Sequence, residues 1–146
     1  MKIKIPLIIV AIEDEGFHPH IHIEINSIPA ILLVDTGASK TVFDSHSIND
    51  YINDIQITMH DKLTTGLGTN SMISHKAIIS KIAIGEIELL SYDAVLIDLS
   101  HVNESYECLG LPKIAGVLGS DLLMQFKGVV DFNKKELMLT LKANSF

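Results

Sequence analysis

The stretch ILLVDTGASKTVFD, residues 31–44, decides how this chain is read. A run of aliphatic residues with the composition of a buried strand ends in a carboxylate, Asp35, followed at once by Thr36 and Gly37. A charge at the mouth of an apolar strand costs several kcal/mol unless it is hydrogen-bonded, paired or partly neutralised. Gly37 lets the chain turn sharply and hold the carboxylate where a ligand reaches it. Thr36 adds a short hydroxyl able to lock that turn by a hydrogen bond.

The surroundings of this stretch are those of a mainly β chain. Isoleucine, leucine and valine recur at period two or in short continuous runs. Strands are predicted over Lys2–Ile12, His20–Ile28, Ala30–Val34, Ile55–Met59, Lys76–Ile84, Glu86–Ile97, Val129–Asp131 and Glu136–Leu141. DFNKKEL reads as a tight turn between the last two. Helices are few: a short one within Asp44–Ile52, and GSDLLMQF, with Ser120 as N-cap, Asp121 in the first turn and Gly128 just beyond the end. SHVNESYECLGLPK, Ser100–Lys113, reads as an irregular surface insertion. With 146 residues, no low-complexity linker and no short tandem repeat, the economical organisation is one domain over residues 1–146.

Composition narrows the function classes. A net charge of −7, a pI near 5.4 and no basic cluster argue against nucleic acid or an anionic membrane as partner. Apolar residues make up 47%, but no run approaches a membrane span, because Pro6, Glu13, Asp14 and Glu15 interrupt the most hydrophobic segment. That segment has lysines before an apolar run, as a signal peptide does, yet acid follows directly and no small-residue cleavage site is visible. The single cysteine, Cys108, has no internal bridging partner, which favours a reducing compartment; the expected location is cytoplasmic.

Two further elements join the Asp35 stretch: TTGLGTNS at Thr64–Ser71, with Gly66, Leu67 and Gly68 at its centre, and GVLGSDLL at Gly116–Leu123. Together Val34-Asp35-Thr36-Gly37-Ala38, Gly66-Leu67-Gly68 and Val117-Leu118-Gly119 resemble the single-domain, retropepsin-like aspartic proteases. In that family a hydrophobic strand ends in Asp-Thr-Gly-Ala, a glycine-bearing flap hairpin follows, and two apolar residues and a glycine precede a C-terminal helix. Order and spacing hold from about Ile21 to Leu141. The resemblance implies a closed, β-barrel-like acid protease fold with one short C-terminal helix, each chain being one protomer of a two-fold dimer.

It also implies a chemistry. Asp35 is the catalytic carboxylate, and Thr36, Gly37 and Ala38 form the active-site loop, with Thr36 bonding across to the partner's loop. Gly66, Leu67 and Gly68 form the flap over an extended peptide, and Val117, Leu118 and Gly119 pack beside the site. One Asp-Thr-Gly per chain supplies half of the pair the reaction needs, and a homodimer supplies the rest by symmetry. Two like charges about 4 Å apart repel by roughly 4 kcal/mol at an effective dielectric near 20. The pair therefore shares one proton, as the carboxyl pairs of aspartic proteases do as a class. The ionised member then acts as general base on a water while its protonated mate polarises the scissile carbonyl. The substrate is a peptide or protein, and no cofactor and no metal is required.

Other features carry weaker readings. HPHIHIEI places His18, His20 and His22 on one face of a strand, where a solvated face is expected rather than a metal site or a histidine-triad nucleotide hydrolase, whose motif Pro19 and Glu24 spoil. Asp121 reads as a helix-terminal carboxylate rather than a second acid, and Cys108 as a small core or loop residue. The rival to the enzyme is a catalytically silent peptide- or protein-binding module on the same dimeric fold. Against it stands the intact Asp-Thr-Gly.

Overall fold

The computed structural model describes residues 1–12, 14, 16–52, 58–64 and 72–142, with the backbone alone for 58–64, 72 and 73. The strands are β1 (Lys2–Pro6), β2 (Ile8–Ile12), β3 (Gly16–Ile25), β4 (Ile28–Val34), β5 (Val42–Asp44), β6 (Thr58–Thr64), β7 (Met72–Ile84), β8 (Ile87–Ile97), β9 (Gly116–Leu118), β10 (Val129–Asp131) and β11 (Glu136–Thr140). The helices α1 (Ser100–Cys108) and α2 (Ser120–Gln125) flank β9.

Eight strands follow the order β2-β3-β4-β9-β5-β8-β7-β6, and β3 also pairs with β7 through Glu24 with Ala83 and Ile25 with Ile82. That extra pairing closes β3, β4, β9, β5, β8 and β7 into a six-stranded barrel. A smaller antiparallel sheet, β1-β11-β10, joins the two ends of the chain. The period-two pattern separates two cores. Ala30, Leu32 and Val34 of β4 point to the main one, together with Ile21, Ile79 and Leu96 of the barrel, Ile3 and Leu139 of the small sheet and Leu123 of α2. Ile31 and Leu33 point the other way, against a second cluster of Val42, Ile97, Leu99, Tyr106, Ile114 and Val117. Gly116 lets β9 lie between β4 and β5, because a Cβ there would meet the Val42 carbonyl oxygen at 2.3 Å.

Several predicted boundaries move, each for a local reason. Lys2–Ile12 is two strands, since Pro6 has no N–H and the Leu7 N–H turns to the Lys135 carbonyl at 2.9 Å. His20–Ile28 is also divided: Asn26 and Ser27 both adopt positive φ, at 49° and 68°, the conformation of a two-residue hairpin turn leading into β4. Within Asp44–Ile52 only a 3-10 turn forms, Ile48–Asp50. Of the predicted strand Ile55–Met59, residues 55–57 lie outside the described residues, and β6 begins at Thr58. DFNKKEL forms the expected hairpin, with Asp131 Oδ1 accepting the Lys134 N–H at 2.9 Å.

The largest correction is α1, which occupies most of the stretch expected to be an irregular insertion. Val102 and Tyr106, four residues apart, share the face that packs on the second cluster, and no Gly or Pro interrupts the helix before Gly110. Asn103 fastens the helix as a strand neighbour would, accepting the Ile114 N–H at 2.8 Å and donating to the Ile114 carbonyl at 3.1 Å. Cys108 lies exposed at its end.

Docking of α1 also overturns the expectation of a solvated histidine face. His22 is exposed, but His18 is half-buried and His20 is only 3% exposed. The Tyr106 hydroxyl lies 2.7 Å from His18 Nδ1 and 2.9 Å from His20 Nε2. With its single hydrogen this hydroxyl can donate to one ring while accepting from the other. Burial pushes the His20 pKa down to about 4, with the charges of His18 and His22 adding to the effect. Unfolded His20 titrates near 6.5, so between those values the unfolded chain binds more protons and stability falls as pH falls. The expected loss is up to about 3 kcal/mol between pH 7 and pH 4, measured by urea unfolding. His20→Gln should lose correspondingly less over that range; equal losses would show that His20 is not the group responsible.

Candidate active site

The parallel pairing of β4 with β9 sets Val34 beside Leu118, so the two strands deliver Asp35 and Gly119 to the same end of the barrel. The Asp35 N–H donates to the Leu118 carbonyl at 3.0 Å, and the Ala38 N–H closes a tight turn onto the Asp35 carbonyl at 3.1 Å. The half-buried Asp35 carboxylate accepts the Gly37 N–H on Oδ1 at 2.9 Å. That bond offsets part of the cost of a charge at the strand mouth. Oδ2 accepts no hydrogen bond from any described residue.

Thr36 and Gly37 are exposed, whereas Ala38 is buried in the second cluster and its carbonyl accepts the Ser120 N–H at 2.8 Å. Thr36 forms no hydrogen bond with the described residues. Val117, Leu118 and Gly119 are all buried. A Cβ on Gly119 would lie 2.6 Å from the Lys40 carbonyl group and 2.9 Å from the Ala38 oxygen. The structure thus brings Asp35, Thr36, Gly37 and Ala38 together with Leu118 and Gly119. Gly66, Leu67 and Gly68 lie outside the described residues.

Asp121 stands in the first turn of α2, as its sequence position suggested, but its role extends beyond the helix. Its Oδ1 accepts the Thr41 N–H at 2.9 Å and the Thr41 hydroxyl at 2.7 Å. Tyr92 lies within its field: burial pushes the phenol pKa up to about 12, and the charge on Asp121 contributes. Sequence reasoning missed Thr41, which no local pattern in a polar loop singles out. It also missed Asp44, whose signal was present, because TVFD repeats the apolar-run-then-Asp pattern of LLVD. Asp44 is 2% exposed and accepts hydrogen bonds from the Ser47 hydroxyl at 2.9 Å and the Leu99 N–H at 3.0 Å, an anchoring arrangement.

Among the described residues, no group of three or more His, Cys, Asp or Glu is arranged to hold a metal ion. Among them, too, no helix is long and apolar enough to cross a membrane.

Comparison with known proteins agrees with this geometry. The family model described as aspartyl protease matches residues 21–122. A retropepsin-like aspartic protease from Rickettsia conorii is similar in structure, with a TM-score of 0.53 and 20% identity over 95% of this chain and 92% of that one. The EIAV protease, solved in complex with the inhibitor HBY-793, gives a TM-score of 0.55 and 19% identity over 81% of this chain and 95% of its own. The retroviral protease-like domain of Ddi1 from Leishmania major gives 0.50 and 12% over 87% and 96%. A search of curated proteins finds no match. The structural likenesses establish a shared retropepsin-like barrel, and with the family model spanning well over half of its length, the chain belongs to the aspartyl protease family.

Proposed function

We propose that this chain, as one domain over residues 1–146, is an aspartic endopeptidase that acts on extended peptides as a two-fold homodimer. The observation that carries the reading is Asp35 itself: a carboxylate displayed at the exit of a buried strand, with Oδ1 held by the Gly37 N–H and Oδ2 without a hydrogen bond among the described residues. Each chain has one such loop, so a second copy supplies the facing Asp35. The pair shares a proton. The ionised Asp35 takes a proton from a water lying between the two carboxyls, and the water oxygen attacks the scissile carbonyl. The protonated Asp35 meanwhile donates to the carbonyl oxygen, giving a tetrahedral intermediate with no acyl-enzyme. Collapse of the intermediate sends a proton to the leaving amine.

Thr36, exposed and without a hydrogen bond among the described residues, bonds with the partner's loop in this proposed assembly. Gly66, Leu67 and Gly68 serve as the flap. The exposed, unpaired Cys108 accords with a cytoplasmic, reducing environment.

The test is incubation of the purified chain with a mixed peptide library, with new termini read by mass spectrometry. Cleavage within peptides supports the enzyme; capture of peptides without any cleavage would favour the silent binding module. Assembly is tested separately. The chain ends pair with each other within one protomer through β1 and β11, and among the described strands β1 and β10 are the two edges of that sheet, with Val129 on β10 and the adjoining Phe132 exposed. Light scattering is expected to give twice the chain mass under assay conditions, with specific activity falling on dilution below the dimer dissociation constant. A fully active monomer would overturn the two-carboxylate mechanism.

A further inference from the structure

We infer that Thr41 and Asp121 form a clip whose function is to position the Asp35 loop, an inference that rests on the proposed role of Asp35. The loop from Asp35 to Thr41 is fixed to β9 and the start of α2 at three places. At its beginning the Asp35 N–H meets the Leu118 carbonyl at 3.0 Å, and in its middle the Ser120 N–H meets the Ala38 carbonyl at 2.8 Å. At its end everything passes through two side chains. The Thr41 hydroxyl donates to Asp121 Oδ1 at 2.7 Å and accepts the Gly119 N–H at 3.0 Å, while the Thr41 N–H donates to the same Oδ1 at 2.9 Å.

Thr41 is 2% exposed, and its hydroxyl is engaged within the protein both as donor and as acceptor. Hydrogen bonds to a carboxylate are about twice as strong as neutral ones. Gly119, which the clip grips by its N–H, is also the residue that lies against the Lys40 and Ala38 carbonyls. Loosening the clip therefore frees the loop on the side away from Leu118. Neither Thr41 nor Asp121 belongs to the reacting pair; both act through the loop, and small displacements of a reacting group cost large factors in rate.

The experiment compares Asp121→Ala, Asp121→Asn, Thr41→Val and Thr41→Ser with the wild type, each as folded dimer. Two readouts are taken: kcat and KM on a cleaved peptide, and amide hydrogen exchange at Gly37 and Ala38, whose N–H groups bond to Asp35. Asp121→Ala and Thr41→Val should lower kcat by about 10- to 100-fold with KM within about twofold, and speed exchange at Gly37 and Ala38 by about tenfold. Asp121→Asn keeps a carbonyl acceptor and Thr41→Ser keeps the hydroxyl, so each should recover most of the loss in both readouts. The clip is overturned if Asp121→Ala leaves exchange at Gly37 and Ala38 unchanged, or if Asp121→Asn is as impaired as Asp121→Ala. Should the wild type cleave nothing while exchange responds as expected, the proposed activity falls and the clip stands. Should the wild type cleave and the variants alter KM alone, Asp121 and Thr41 shape substrate binding instead, and the positioning role is overturned.

Discussion

Asp35→Asn should reduce peptide hydrolysis by at least about 10³-fold while leaving the fold intact. The carboxamide is isosteric, and its carbonyl oxygen still accepts the Gly37 N–H that now binds Oδ1 at 2.9 Å. What it lacks is the ability to take and return a proton, the one property the mechanism draws from this residue. The melting temperature should be unchanged or slightly raised, because the carboxamide removes the charge that the half-buried, proton-sharing pair carries. Mixing gives a sharper test. If wild type and variant exchange subunits at random in equal amounts, about one quarter of the dimers carry two Asp35 residues, so activity should fall well below that of the wild-type chains present. Activity that simply tracks the amount of wild-type chain would mean that one carboxylate suffices. Full activity of Asp35→Asn alone would mean that another residue does the chemistry.

Gly119→Ala is expected to be nearly as damaging, by a different route. The backbone of Gly119 has φ −98° and ψ −178°, a conformation open to any residue, so the requirement for glycine is not conformational. It is steric: the nearest atoms to an added Cβ are the carbonyl carbon and oxygen of Lys40 and the carbonyl oxygen of Ala38, at 2.6 to 2.9 Å. These are backbone atoms of the Asp35 loop, which have no rotamer to relax into. The loop must move away from β9, straining the Ser120–Ala38 and Gly119–Thr41 bonds. A loss of about 3 kcal/mol is expected, lowering the melting temperature by about 10 °C, together with loss of hydrolysis even below the new melting point. Circular dichroism melts and activity at low temperature separate the two effects. A variant of normal stability and activity would show that the Asp35 loop does not pack on this glycine.

Features that depend on neighbours along the chain were legible in the order of residues alone. The alternation in AILLV specifies a strand with two apolar faces, and its break at Asp35-Thr36-Gly37 marks where that strand ends and what it presents. DFNKKEL was legible for the same reason, since a hairpin turn is built from its own residues. Asp35 and Gly119 were readable as candidates because each sits in a local pattern of unusual chemistry. Closure of the barrel was expected from the family resemblance but not from the residue pattern itself: β3 meets β7 only through Glu24 with Ala83 and Ile25 with Ile82, pairs far apart in the chain, and no periodicity encodes which edges meet. The helix α1 was missed because its stretch is mostly polar and gains its stability from docking Val102 and Tyr106 on a surface made by other strands. That docking also turned His20 from a residue expected in solvent into a buried one. Thr41 became legible only when β5 and α2 were brought together. Its hydroxyl bonds to residues 78 and 80 positions away, and hydrogen bonds of that separation are set by packing rather than by local sequence.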